Sequence, residues 1–136
     1  MDDVRQASRI AVSGLKAQSE RLRTISQNLA NADSVSDVPG GEPYRRKILV
    51  FQNELDRSIG ADLVKVARER EDMTAFDRRY DPSHPGADAE GYYLVPNVNP
   101  MLELMDLRQA QRSYEANLNV ISTSREITRR TLELLR

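Results

Sequence analysis

Both ends of this 136-residue chain carry the apolar periodicity of a long α-helix, and a stretch rich in Pro, Gly, Asp and Tyr separates them. Two striped helices with so little between them have to bury their stripes against each other and against other chains. Charged residues make up 30% of the chain and aromatics 5%, which argues against a large self-contained core. An apolar fraction of 39% argues equally against disorder along the whole length. The composition therefore points to helical assembly rather than a compact globule.

In the first helix the apolar positions are Val4, Ala11, Leu15, Leu22, Ile25, Leu29 and Ala32. From Ala11 onward they alternate at spacings of three and four once Gln18 is counted as a polar seam position, the heptad pattern of a helix in a coiled coil. Asp2 and Asp3 suit its positive end. Gly14 costs up to about 1 kcal/mol against Ala inside a helix. It is either tolerated slack or a point where another backbone approaches, and the small Ala11 and Ala17 nearby favour close packing. The pattern stops near Asn31, among Asn28, Asp33 and Ser34.

Val38 to Pro43 reads as a loop, because two prolines and two glycines block helix and central strand alike. Tyr44 to Gln52 reads as a strand and Leu63 to Glu69 as a second, with Asn53 to Gly60 between them as a helical turn or a wide hairpin loop. Asp81 to Gly86 is turn chemistry, and Tyr92 to Val95 a short extended piece stopped by Pro96. The second helix has a clear start, with Asn99 as cap, Pro100 at the first helical position, and Glu103 and Asp106 complementing the dipole. Leu104, Leu107, Tyr114, Leu118, Ile121, Leu132 and Leu135 form its stripe, and Val120, Ile127 and Leu134 repeat every seven residues on an adjacent side. That apolar surface is wider than one partner helix needs, so more than one neighbour is expected. Arg129, Arg130 and Arg136 suit the negative end.

The fold class expected is mainly α: long terminal helices in an antiparallel coiled-coil hairpin, with a small central β-hairpin and loop region. The segments are 1–33, 34–98 and 99–136, the two helices together making one coiled-coil domain. Leu29, Leu118 and Ile121 are the expected seam positions.

No enzyme chemistry emerges. His84 is the sole histidine and has no partner at metal-ligand spacing, so it reads as a solvated turn residue. Cys is absent, and neither a nucleophile motif nor a phosphate-cradling loop occurs, so no cofactor is expected. Arg45-Arg46-Lys47 between Tyr44 and Phe51 is the one basic run. Nucleic-acid binding there is weighed against a strand whose charges blunt an edge or pair with acids on a neighbouring subunit, and the net charge of −1 favours the latter. The acidic N-terminus lacks the ~7-residue apolar run of a secretory signal, and no stretch approaches the ~18 apolar residues of a membrane span, so no direct membrane insertion is expected.

Several short motifs carry a resemblance. Ser26-Gln27-Asn28-Leu29-Ala30-Asn31-Ala32 resembles the signature that closes the N-terminal helix of bacterial flagellar rod and hook proteins, the axial family. Tyr44-Arg45-Arg46-Lys47, Asp81-Pro82-Ser83-His84-Pro85 with Ala87 to Tyr92, Pro96-Asn97-Val98-Asn99 and Arg112-Ser113-Tyr114-Glu115-Ala116-Asn117 resemble the proximal-rod branch of that family. The resemblance implies a structural subunit of the basal-body rod, exported unfolded through the flagellar type III apparatus and polymerised into the periplasm-spanning drive shaft. Its implied partners are other copies of itself, the rod proteins FlgB, FlgF and FlgG, the junction protein FliE and the inner-membrane ring region. Stripes and motifs together nominate an assembly interface of Leu15, Leu22, Ile25, Asn28, Leu29, Asn31, Tyr44, Arg45, Arg46, Tyr114, Asn117, Leu118, Ile121 and Leu132. The competing expectation is a soluble cytosolic coiled-coil adaptor that forms no filament.

Overall fold

A computed structural model describes residues 2–135, so Arg136 lies outside the described residues. Helix α1 spans Asp2–Ala30 and helix α2 spans Pro100–Leu134, 29 and 35 residues. At 1.5 Å per residue these are rods of about 43 and about 52 Å. Asn99 caps α2 as its sequence predicts: its backbone is extended and its side chain accepts from the Met101 and Leu102 amides, with Pro100 just inside. Arg129 and Arg130 fall short of the helix end and pair with Glu126, Arg129 also with Glu133, rather than with terminal carbonyls.

The helices run antiparallel: Asn28 meets Glu103, Arg21 meets Asp106 at 3.6 Å, and Gly14 faces Asn117. On α2 the covered row is Glu103, Leu107, Ala110, Tyr114, Asn117, Ile121, Ser124 and Thr128, spaced alternately four and three. On α1 the matching row runs through Ala11, Gly14, Gln18, Arg21, Ile25 and Asn28. This seam shares Ala11, Gln18, Ile25, Leu107, Tyr114 and Ile121 with the stripes read from the sequence, but Leu15, Leu22, Leu29, Leu104 and Leu118 lie one residue to its side. Ile121 belongs to it, but Leu118 is 49% exposed and Leu29 only half-buried, so these two flank the seam rather than fill it. Small and polar side chains replace the expected leucines because Gly14 and Ala110 let the helices come close. A Cβ on Gly14 would sit 2.9 Å from the Asn117 amide, so the close approach is to a side chain of α2 and not to its backbone.

Strands β1 (Lys47–Asp56) and β2 (Ala61–Glu71) form an antiparallel hairpin with Lys47 opposite Glu71. Strand β1 starts three residues later than the sequence predicts, because the Tyr44 and Arg46 amides donate to Ser34 O and Asn97 Oδ1 instead. Asn53 to Gly60 is neither helix nor wide loop. Asn53 to Asp56 continue β1, and Arg57 to Gly60 make a tight turn held by Asp56 Oδ1, which accepts from the Ser58 amide and hydroxyl. A bulge shifts the register between Val50 and Phe51 and accentuates the hairpin twist. The second sheet pairs β3 (Asp77–Tyr80), which lacks any apolar alternation, with β4 (Tyr92–Val95). His84 is not simply solvated: it stacks on Tyr93 at 4.1 Å and its Nδ1 accepts from the Gly86 amide.

Hairpin β1–β2 lies along one side of α1. Ser13 Oγ accepts from the Val64 amide, Thr24 Oγ1 donates to Glu69, and Gln6 donates to Ile59 O. Buried apolar side chains are few, namely Ala11, Ala17, Ile25, Ala110 and Ile121. The accessible surface is 9474 Å². A compact monomer of this size exposes about 7,200 Å², so the molecule is open and much of its apolar surface is uncovered. No helix among the described residues is long and apolar enough to cross a membrane.

Replacing Gly14 by Ala tests the seam. The gain of about 1 kcal/mol in helix propensity is expected in an Asn117→Ser background, where the space exists, and is expected to vanish with Asn117 present. Urea unfolding of the four proteins in that double-mutant cycle measures the difference.

Candidate assembly interface

Where the two helices and the hairpin converge, a polar cluster is buried instead of an apolar one. Asn28 is 1% exposed and uses every hydrogen-bonding position it has. Its Nδ2 donates to Lys47 O at 2.8 Å and to Glu103 Oε2 at 3.2 Å, while its Oδ1 accepts from the Lys47 amide and the Tyr44 hydroxyl, both at 2.9 Å. The side-chain amide thus pairs with the outer edge of β1 as another strand would. It ties α1 to β1 and α2 in one residue.

Glu103, equally buried, sits in the first turn of α2 and accepts from Arg46 Nε. Arg46 also reaches Asp72 at 3.3 Å and Asp106 at 3.8 Å. Burial alone would lower the Arg46 pKa, but hydrogen bonds and charge attraction to Glu103 and Asp72 outweigh it and hold the guanidinium above its usual value. Tyr44 is pushed up, chiefly by burial of its hydroxyl. Asp72 is held below the usual carboxylate range, first by the Thr74 hydroxyl and amide and then by Arg46. Asn97 closes the ring: its Nδ2 donates to Asp72 O at 2.9 Å, and its Oδ1 accepts from the Arg46 amide at 2.8 Å. Four stretches of chain meet here, and Glu103, at 1% exposure, would cost several kcal/mol as an unpaired charge.

The basic run is consumed within the chain. Arg45 lies over the Phe76 ring at 4.1 Å and donates to the Asp72 and Thr74 carbonyls, Arg46 serves the cluster, and Lys47 pairs with Glu69 at 3.3 Å. Its acidic partners belong to the same chain, where the sequence reading offered an edge-blunting strand or acids on a neighbouring subunit.

The nominated residues divide into four groups. Asn28, Tyr44 and Arg46 meet in the buried cluster, with Arg45 beside it. Ile25, Tyr114, Asn117 and Ile121 lie in the helix seam. Asn31 closes the end of α1, donating to Gln27 O and accepting from the Ser34 hydroxyl. Leu15, Leu22, Leu29 and Leu118 occupy the flank, and Leu132, 55% exposed, lies near the free end of α2. Glu103, Asp72 and Asn97 were not nominated. The available signal was the spacing of Glu103, which shares the three-four row of Leu107 and Ile121, but an acid in a first helical turn reads as a dipole partner.

Residues 9–36 match the family model described as flagella basal body rod protein, and residues 89–134 match that described as flagellar basal body rod FlgEFG protein C-terminal. Among similar proteins, the flagellar basal-body rod protein FlgC of Agrobacterium fabrum is 48% identical, covering 100% of this chain and 98% of its own. The protein of that name in Salmonella typhimurium is 43% identical over 92% of each chain, and that of Aquifex aeolicus 38% identical over 98% of each.

Two outcomes test the cluster. Asn28→Asp keeps the volume but sets a carboxylate oxygen against Lys47 O and Glu103, and is expected to cost more than about 2 kcal/mol near neutral pH, measured by urea unfolding followed by circular dichroism. The Asp72 carboxyl has a depressed folded-state pKa, so the unfolded chain takes up its proton first. Its contribution is complete above about pH 4 and is lost as the pH falls through the lower folded value. Asp72→Asn is expected to flatten the acid limb of stability against pH.

Proposed function

The chain belongs to the flagellar basal-body rod protein FlgC family, and from that footing we propose how its geometry serves the rod. It is a structural subunit of the bacterial flagellar basal body, located in the rod and assembled with other rod components. In our reading, residues 3–32 and 100–135 act as a coiled-coil hairpin that lines the inside of a tubular array. The segment 34–98 lies further out and touches adjacent subunits. Neighbours are other copies of this chain, FlgB, FlgF, FlgG and FliE, placed between the inner-membrane ring and the distal rod across the periplasm.

The observation that carries this reading is the leucine row beside the seam. Leu104 and Leu118 are 45% and 49% exposed on a helix whose inner row is already covered by α1. Leu15, Leu22 and Leu29 lie on the same flank of α1, and large apolar side chains left uncovered on one flank support a protein contact there, with Arg108, Gln111 and Glu115 interrupting the row on α2. Contacts between two different faces of one subunit build an open helical array, where a two-fold contact would stop at a dimer. Export as an unfolded chain by the type III apparatus fits the buried cluster. Asn28, Arg46 and Glu103 come from three parts of the chain, so the fold closes only when all three have emerged. Helices of this kind draw most of their stability from packing, which couples folding to assembly.

Leu118→Arg tests the face. A half-exposed position tolerates the change in the monomer within about 0.5 kcal/mol, so the variant is expected to be made and exported while the rod remains incomplete and swimming is lost. Normal swimming in soft agar would refute the role.

A further inference from the structure

Strand β2 ends in the run Arg68-Glu69-Arg70-Glu71, and the two-residue period of a strand sorts these charges onto opposite faces of the hairpin. Glu69 points to α1, where it accepts from Thr24 Oγ1 and pairs with Lys47. Arg68 and Arg70 therefore point away from α1, and both are exposed. Their cross-strand neighbours are Val50 and Ile48, each half-buried, so this outer face sets two guanidinium groups beside two β-branched side chains. Like-facing side chains two residues apart on a strand stand about 7 Å from each other, close enough for the two cations to repel. Lys47 and Lys65 are matched by Glu69 and Glu54, but among the described residues neither Arg68 nor Arg70 has an ion-pair partner.

The complementary surface lies elsewhere on the same chain. Between Arg23 and Arg45 the sequence has three acids, Asp33, Asp37 and Glu42, and no Lys or Arg. Glu42 is engaged by Arg45, whereas Asp33 and Asp37 are exposed and have no ion-pair partner among the described residues. Val38, next to Asp37, is 65% exposed. This loop is held in place, since Gly86 packs against Ser36 O with no room for a Cβ and the Gly41 amide donates to Val38 O at 2.9 Å. Its acids are thus presented from a fixed base, which lowers the ordering cost of a contact. We propose that the outer face of the β1–β2 hairpin docks on residues 33–38 of a second copy, with Arg68 and Arg70 meeting Asp33 and Asp37 and Val38 covering Val50 and Ile48. Each half supplies the charge and the apolar contact that the other lacks. Charge matching of this kind selects which surfaces meet and in what register more than it sets how tightly they hold. Two different patches of one chain are joined, so the contact is head-to-tail and leaves a free half at each end. The inference rests on the chain assembling with copies of itself, and it adds a contact outside the helix pair.

Charge reversal tests the match. Arg68→Glu with Arg70→Glu, and separately Asp33→Arg with Asp37→Arg, turn attraction into repulsion at exposed positions. Each pair is expected to leave the circular dichroism of the purified chain unchanged and to abolish swimming in soft agar. All four substitutions in one chain rebuild the match with its signs exchanged and are expected to restore swimming. Normal swimming of either reversed pair, or no recovery in the four-fold variant, overturns the proposal. A benzophenone side chain at position 70 identifies the partner in purified basal bodies without disturbing the acidic loop. Adducts to residues 33–38 of another copy of this chain support the contact, and adducts only to another protein, or none, overturn it. Failure of the assembly reading itself has a different signature, the absence of the wild-type chain from purified basal bodies.

Discussion

The side chain of Asn28 is the point on which the rest of the structure depends. It pairs with the backbone of Lys47 as a neighbouring strand would, and it also hydrogen-bonds Glu103 and Tyr44. Because the whole amide is satisfied and out of water, a slip of α1 along α2 by even one turn strands polar groups in a dry site. The cluster therefore sets register more than it adds adhesion. Arg46 makes the same demand from the strand side, since Glu103 without it would be a buried unpaired charge.

Close approach of the helices follows from the residues left for the seam. Gly14, Ala11 and Ala110 bury little apolar surface, so the seam alone is weak glue for two rods of this length. Leu15, Leu22 and Leu29 lie beside it, half-covered within the subunit. Register within the subunit and the uncovered apolar surface thus fall to different side chains one residue apart. An open molecular surface is the cost of that division.

Much of the fold was legible along the chain because it follows local rules. Asn99-Pro100 starts α2 where capping chemistry requires, and the alternation around Val64 marks β2. The failures were non-local. Strand β3 is Asp-Arg-Arg-Tyr with every residue exposed, and it exists because β4 pairs with it, so periodicity contains no trace of it. Arg45 to Lys47 read as charges that blunt an edge or pair with acids on a neighbouring subunit, since their partners, Asp72, Phe76 and Glu103, are far away in sequence. Leu118 read as a seam residue because a two-sided helix shows two overlapping three-four rows, and hydropathy selects the greasier one.

By itself, the sequence determined that two long helices flank a small β segment, where the helices begin and end, and that their apolar surface exceeds what one partner covers. Those properties are set by capping, periodicity and composition, all short-range or additive. Only the tertiary structure decided that Glu103 is the buried centre rather than a dipole partner, that the seam runs through Gly14 and Asn117, and that Leu104 and Leu118 lie outside it. The reason is geometric: a one-residue offset rotates a helix row by about 100°, and only the simultaneous satisfaction of Asn28, Arg46 and Glu103 chooses between offsets that hydropathy leaves open.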